Sequence, residues 1–462
     1  MADETEQVLD IERHLKYWKR CLRSPLPSIY LSNEGNRMAL AYFIINSIAI
    51  LTPPGQQMSL VTREERAQMR QWVLSHQHPD GGFSGTSTLV FPPGQYDEWD
   101  FESGCRSLEH SGLANIAATV FALQLLALLT EDSESENAFK GVDRVKTLRW
   151  LRRLQRDDGS FGEALRLLPD RGWFIAGGYD MRYCYVATVI RWMLRGDVKE
   201  GDAGWVEDID TQGLAEYILG SQTYDGGFAG SSSEEPHAGY AYCAINALSL
   251  LDRPLEDSEA SHTSEILHRG IRNMPALEHW LASRQFVYLE TKAKDDDGQE
   301  SDDDDPNFAL PQSLADLSLG DSQRYVGFNG RCNKTADTCY FWWVGAALST
   351  LGKEDLITHQ PARRFLLEKM QHPIGGFGKT PGAPPDVYHA CFGLAILATL
   401  AGKGLNRLDS SLAVPVETVR RIEKARKGLS QGSEPKVMAA MAVKIGLKPG
   451  AQKPGWLASL AG

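Results

Sequence analysis

The heptapeptide QHPDGGF (Gln77–Phe83) recurs along the chain as QRDDGSF (Gln155–Phe161), QTYDGGF (Gln222–Phe228) and QHPIGGF (Gln371–Phe377). A divided copy begins at Arg284-Gln285, is interrupted, and resumes as VGFNGR at Val326. Most copies close an amphipathic stretch such as MRQWVLSHQ, LRWLRRLQ or FLLEKMQ. After a loop comes a segment that is apolar nearly all round, for example ANIAATVFALQLLALL, GYAYCAINALSLL, TCYFWWVGAALSTL and YHACFGLAILATL. The glycines supply the positive φ that ends a helix, and the Phe turns back beneath it. A segment apolar on every side is a helix buried on both faces, whereas its charged-faced partner belongs outside. The unit is therefore helix, Gly-Gly-Phe turn, loop, helix. An earlier partial copy, RHLKYWKRCL then NRMALAYFIINSIAILT, supplies a first pair. Repeated five or six times, the unit closes into an all-α fold, an α/α toroid of inner and outer helices.

Two segments break this rhythm. Residues of about 287–324 contain KAKDDDGQESDDDDPNF, an acidic low-complexity run read as a solvated insertion. Residues 428–462 form a basic, Gly/Pro-punctuated tail, and residues 1–12 an N-terminal extension, leaving 13–427 as one toroidal domain. The content of 42% hydrophobic residues supports a large core, and a formal charge of −12 gives no general attraction to nucleic acid. Seven cysteines without a pairing pattern point to a reducing compartment. The N-terminus lacks a signal-peptide pattern and no apolar run has membrane-spanning length, so the expected location is cytoplasmic.

Chemistry-bearing residues concentrate in GFNGRCNKTADTCYFWW (Gly327–Trp343) and PDVYHACFG (Pro385–Gly393). The first places Arg331, Lys334, Asp337, Cys339 and Tyr340 at the start of one inner helix, and the second places His389 at the start of the next. Asp337, Cys339 and His389 make a three-ligand set suited to zinc, with a fourth position open. A cysteine on an apolar helix is more often packing than ligand. The flanking cations Arg331 and Lys334, with His237 from an earlier repeat, suit a diphosphate leaving group, or else they are solvated helix-start charges.

GRCNK-x-x-D-x-CY-x-x-W, PD-x-YH-x-CF and the repeated Q-x-x-x-GGF together resemble the β subunits of protein prenyltransferases, over roughly Arg13 to Lys427 with the acidic run excepted. The resemblance implies one catalytic Zn²⁺ on Asp337, Cys339 and His389, and a diphosphate-binding group of His237, Arg331, Lys334 and Tyr340. It further implies isoprenoid walls at Tyr240 and Trp343 and an acceptor-peptide site at Asn115, Ala117, Arg182 and Tyr183. Its partners would be an obligate α subunit, a prenyl diphosphate and proteins ending in a CaaX sequence, such as small Rho-type GTPases.

Within the family, three positions resemble the type I geranylgeranyl branch. Ala39 stands where farnesyl enzymes carry a Trp on the cavity floor, which leaves room for another isoprene unit. Phe392, three residues after His389, replaces a Tyr. Lys379 replaces a magnesium-binding Asp, so Mg²⁺ is not expected to be required. Geranylgeranyl diphosphate is the expected donor and a CaaL protein the acceptor. Cys332, in RCNK, is closer to the farnesyl phrase, and a farnesyl or dual-specificity β subunit is the alternative. Two rivals lie outside the family. A terpene cyclase would need an acidic motif on an inner helix and a second barrel, and a zinc-free binding scaffold would have lost the metal set.

Overall fold

A computed structural model of the chain describes residues 8–427 apart from 57, 87–97, 101–104, 108–112, 169–171, 197, 255–263, 289–323, 401 and 403. Most of the acidic insertion, the tail 428–462 and residues 1–7 of the N-terminal extension lie outside the described residues. The inner helices are α2 (Arg37–Leu51), α4 (Ile116–Leu128), α6 (Met181–Arg195), α8 (Ala238–Leu251), α11 (Thr338–Thr350) and α13 (Val387–Thr399). Each packs on the next, and α13 returns to α2, so the ring is closed. Around it lie α1 (Ile11–Arg23), α3 (Arg63–Leu74), α5 (Arg144–Arg153), α7 (Thr211–Gly220), α10 (Met274–Ala282) and α12 (His359–Phe365), with a short α9 (Glu265–Arg269) before α10. The inner helices bury residues on nearly every side, as their all-round apolar sequence requires.

The repeated turn explains why the ring closes. In each copy the glutamine and phenylalanine bridge one another, as in Gln77 with Phe83 and Gln222 with Phe228. The Phe is buried completely in all four contiguous copies. The glutamine then reaches outward to the residue that caps the next outer helix. The side-chain oxygen of Gln77 accepts from the Asp143 amide at 2.8 Å, that of Gln155 from Asp210 at 2.7 Å, and that of Gln222 from Asn273 at 2.9 Å. Asp143, Asp210 and Asn273 are the N-caps of α5, α7 and α10. The turn glycine is pressed against the same helix start. A Cβ on Gly226 would lie 2.4 Å from the Ala276 carbonyl oxygen, and its φ of +100° would strain any other residue.

The interrupted copy obeys the same rule. Gln285 pairs with Phe328 across the insertion, and its side-chain oxygen accepts from the amide of Thr358, the N-cap of α12. The last turn docks on the first helix. A Cβ on Gly375 would meet the Arg13 carbonyl oxygen of α1 at 2.5 Å. Here His14 replaces the capping amide. Its Nδ1 accepts from the Gly376 amide at 3.2 Å, so the neutral ring carries its proton on Nε2, which donates to Gln371 at 3.0 Å. Burial lowers the His14 pKa from its ordinary 6.5.

Beyond α13 the chain crosses the end of the ring through residues 404–415 and enters α14 (Val416–Lys427), the last described element, which packs on α4 and α6.

Gln222→Ala is expected to destabilise the protein by about 1–3 kcal/mol, because it removes the partner of the Asn273 amide and of the Gly226 carbonyl. Denaturant midpoints measure this, and an unchanged midpoint would discard the clasp. The His14 contribution has a definite pH sign. Its folded pKa is depressed, so below about pH 6.5 the unfolded chain takes up a proton that the folded chain refuses. Stability should therefore fall as pH drops through that range, and less steeply in His14→Gln, which keeps a donor and an acceptor but does not titrate.

Candidate metal centre at the mouth of the toroid

Because the hairpins repeat in one sense, the inner helices start at one end of the ring. Their first amides are tied to the chain leaving the neighbouring Gly-Gly-Phe turn. Met38 N donates to the Gly85 oxygen, Ile116 N to Glu163, Ala238 N to Gly330 and Thr338 N to Lys379, at distances of 2.9–3.1 Å. Lys379 thus reaches the metal helix through its own carbonyl. The N-caps of α4, α6, α8, α11 and α13 are Asn115, Asp180, His237, Asp337 and Asp386. Several helix N-termini facing one mouth make it favourable to anions.

Asp337, Cys339 and His389 converge, with one ligand atom from each lying within 4.8 Å of the others. Asp337 and Cys339 are the N-cap and second residue of α11, and His389 is the third residue of the adjacent α13. The Asp337 Oδ1 accepts from the Cys339 amide at 2.8 Å and lies 3.2 Å from His389 Nε2. On the other side of the ring, His389 Nδ1 is 2.6 Å from Asp386 Oδ2. Asp386 is itself fixed, its Oδ1 accepting from the amides of Tyr388 and His389.

Burial opposes charge on His389, but hydrogen bonds to Asp337 and Asp386 outweigh it and raise the pKa to about 9. Burial likewise pushes Asp337 up, and its contact with His389 brings it below the usual value. Burial and the neighbouring Asp337 carboxylate raise the Cys339 thiol well above 9.0. A thiol, an imidazole oriented by a carboxylate behind it, and one further carboxylate form a ligand set that fits zinc rather than magnesium or calcium.

Beside this cluster stands a second. His237 Nδ1 accepts from the Gly239 amide at 3.0 Å, and burial, then Arg331 and Arg182, lower its pKa to about 4. The ring is neutral at pH 7 with its proton on Nε2, which donates to the Tyr340 oxygen at 3.0 Å. The Tyr340 hydroxyl proton is left to donate elsewhere. Arg331 pairs with Glu235 at 3.0 Å, while the Lys334 and Lys379 side chains are exposed and make no ion pair among the described residues.

Below the mouth the inner helices present aromatic rings to one another. Trp343 lies 4.9 Å from Phe392 between ring centres, Phe392 5.5 Å from Phe43, and Tyr242 5.1 Å from Trp343. Tyr240 packs on His237, and the half-buried Ala39 lies one turn before Phe43 on α2. The acceptor candidates sit elsewhere around the mouth. Asn115 caps α4 by accepting from the Ala118 amide, and Ala117 is half-buried on that helix. Arg182, at the start of α6, is folded onto Asp180, and Tyr183 follows it half-buried. The metal trio and the His237–Tyr340 pair are therefore assembled side by side, while Arg182 and Arg331 are each engaged by a carboxylate. Sequence reasoning missed Asp386 behind His389 and Glu235 behind Arg331. The spacing in Asp-Val-Tyr-His, an acid three residues before a helical His, was the available signal for the first.

This constellation belongs to a known class of fold. Residues 9–414 match the prenyltransferase alpha-alpha toroid domain, and the chain belongs to that family. It is 30% identical over 416 residues to the geranylgeranyl transferase type-1 subunit beta of Arabidopsis thaliana, covering 88% of either chain. It is 26% identical over 402 residues to the type-1 subunit beta of Dictyostelium discoideum, covering 84% of this chain and 90% of that relative. The protein farnesyltransferase subunit beta of Schizosaccharomyces pombe is 25% identical over 408 residues, covering 86% of this chain and 79% of the relative. A solved structure, Candida albicans protein geranylgeranyltransferase-I complexed with GGPP, superposes with a TM-score of 0.66 at 25% identity, covering 91% of this chain and 100% of that one. The chain is thus a β subunit of a protein prenyltransferase, similar to the type-1 geranylgeranyl subunits.

Cys339→Ser is expected to lose bound zinc, and Asp386→Ala to weaken zinc affinity by about 10–100-fold while leaving the first ligands in place. Elemental analysis and competition with a chelator measure both. Full zinc occupancy in Cys339→Ser would sink the ligand assignment.

Proposed function

We propose that this chain is the β subunit of a cytoplasmic heterodimer that transfers a geranylgeranyl group from geranylgeranyl diphosphate to the cysteine thiol of CaaX proteins, CaaL above all. The observation that carries this reading is the Asp337–Cys339–His389 cluster beside the neutral His237–Tyr340 pair, at the mouth of an aromatic-lined ring. Similarity to type-1 subunits from a plant and an amoeba supports the choice of isoprenoid.

A zinc ion held by Asp337, Cys339 and His389 would supply a Lewis-acid site that keeps an acceptor thiol as its thiolate. The residues around it do the rest. Asp386 fixes the orientation of His389 and presents Nε2 toward the cluster. Charge builds on the bridging oxygen as the carbon–oxygen bond to diphosphate breaks. The Tyr340 hydroxyl, relieved of any need to donate to His237, is placed to donate to that oxygen. Lys334 and Lys379 add positive charge at the mouth, and Arg331 joins them once it leaves Glu235. With Lys379 in this role, magnesium is not needed. Trp343, Tyr240 and Phe392 hold the isoprenoid and exclude water, and Ala39 leaves it depth. Asn115, Ala117, Arg182 and Tyr183 bind the acceptor's C-terminal residues.

Co-expression with an α subunit allows a direct test with equal farnesyl and geranylgeranyl diphosphate, a peptide ending Cys-Val-Leu-Leu, zinc, and a magnesium-selective chelator. Mass spectrometry of the peptide should show the geranylgeranyl adduct in large excess. A farnesyl adduct would overturn the choice of donor, and dependence on added magnesium would overturn the role of Lys379.

A further inference from the structure

Cys332 has no task in prenyl transfer, yet it shares a tight turn with Arg331 and Lys334 at the mouth. That turn is held from several sides. The Gly330 carbonyl accepts from the Ala238 amide at 2.9 Å, and a Cβ on Gly330 would lie 2.1 Å from the Tyr340 ring. The Asn329 amide donates to the Arg284 carbonyl at 3.0 Å, and its side-chain nitrogen donates to the Lys334 carbonyl at 3.1 Å. Asn333 turns the chain at a φ of +58°. Arg331, Cys332 and Lys334 are thus fixed to one short piece of backbone.

Arg284, just after α10, meets this turn from within the protein. It is only 4% exposed. Its Nη2 donates to Cys332 Sγ and to the Ser283 hydroxyl, each at 3.2 Å, and its Nε donates to the Trp280 carbonyl at 3.3 Å. The guanidinium lies 4.7 Å from the centre of the Trp280 ring. Among the described residues, however, no carboxylate pairs with it and its buried Nη1 has no acceptor. A buried cation without a counter-anion is costly, as is a buried N–H without an acceptor. What Arg284 reaches instead is a thiol, which is a weak acceptor. Of the six cysteines whose side chains are described, Cys332 alone is exposed. Redox-sensitive cysteines combine solvent access with a neighbouring cation, and Cys332 has both. The two terminal nitrogens of a guanidinium form a planar fork, so an oxygen bonded to Sγ comes within reach of Nη1.

We propose that Cys332 is a peroxide-sensitive modification site, whose sulfenic acid is held by Arg284 and weakens binding of the diphosphate donor. The effect on the donor rests on the prenyl-transfer reading of the mouth, whereas the modification itself does not. The sulfur attacks one oxygen of hydrogen peroxide, an S–O bond forms and the O–O bond breaks. The departing hydroxide takes the thiol proton and leaves as water. Sulfur loses two electrons and the peroxide gains them. Two equivalents of a small thiol reverse the step, returning the Cys332 thiol with a disulfide and water. The added oxygen accepts the hydrogen bond that Nη1 lacks. Re-forming the Arg284 contact through that oxygen shifts the turn, and its negative charge density competes for Arg331 and Lys334.

The test treats the zinc-loaded heterodimer with hydrogen peroxide and then dimedone, and reads labelling by peptide mass spectrometry. Cys332 should be labelled ahead of the buried cysteines. Arg284→Lys, which keeps the charge but loses the fork, should lower that labelling. No label at Cys332 would overturn the site, and equal labelling in folded Arg284→Lys would overturn the role of Arg284. In parallel, kcat and KM for geranylgeranyl diphosphate are measured before and after peroxide, at unchanged zinc content. Oxidation should raise KM at least about fivefold, the low end of typical coupling between sites, with kcat little changed. Dithiothreitol should restore it, and Cys332→Ser should keep its KM through the treatment. Cys332→Asp places a fixed anion beside Arg284 and should show the raised KM without oxidant, which decides the effect if Arg284→Lys fails to fold. A wild-type KM unmoved at full labelling would overturn the effect on the donor. A heterodimer that transfers no prenyl group before oxidation would overturn the reading of the mouth and that effect, while the labelling still decides the site.

Discussion

The structure depends on one hydrogen bond made repeatedly, from the first amide of an outer helix to the side-chain oxygen of the preceding repeat's glutamine. That amide belongs to a capping residue and has no partner within its own helix. Gln77, Gln155, Gln222 and Gln285 satisfy it in turn, so each repeat completes the helix of the next. The turn glycine lies so near the same helix start that no side chain fits between them. A chain joined in this way cannot end openly. It either continues as a solenoid or returns to its beginning, and His14 on Gln371 is the return.

Closure has a chemical consequence. Once the hairpins form a ring, every inner helix begins at the same mouth, and residues far apart in sequence become neighbours there. His237 and Tyr340 belong to different repeats, as do Cys339 and His389, yet each pair is assembled by adjacent helices. The capping residues serve two ends at once. Asp337 caps α11 while facing His389, and Asp386 caps α13 while orienting the same imidazole. Local helix-start chemistry and the candidate metal site therefore use the same side chains, which makes the geometry of the site as firm as the helices themselves.

The other end of the ring is closed by main chain rather than by side chains. A ring of phenolic and amide donors deep among apolar helices would be costly without acceptors. The carbonyls of residues 410–413 supply them. The ring thus has a charged, anion-favouring mouth, aromatic walls and an end closed by main-chain carbonyls that accept from phenolic and amide donors.

The sequence by itself determined the repeat, the alternation of outer and inner helices, and the residue types of the Asp337–Cys339–His389 trio that the ring brings together, because helical periodicity, Gly-Gly-Phe turns and side-chain chemistry are local properties. Even the divided copy was legible, since Gln285 and VGF kept their residue types across the insertion. What only the tertiary structure decided were relations between repeats. Gln222 is a polar residue before a turn until Asn273 arrives beside it. Asp386 is an ordinary helix cap until His389 turns its Nδ1 back onto it. Arg331 reads as a free cation, but Glu235 from another repeat holds it. The closed end was invisible for the same reason, since Ser410 to Ala413 offer main-chain carbonyls whose meaning no side chain advertises. A hydrogen bond between distant segments depends on where the backbone runs, and only closure of the ring determines that.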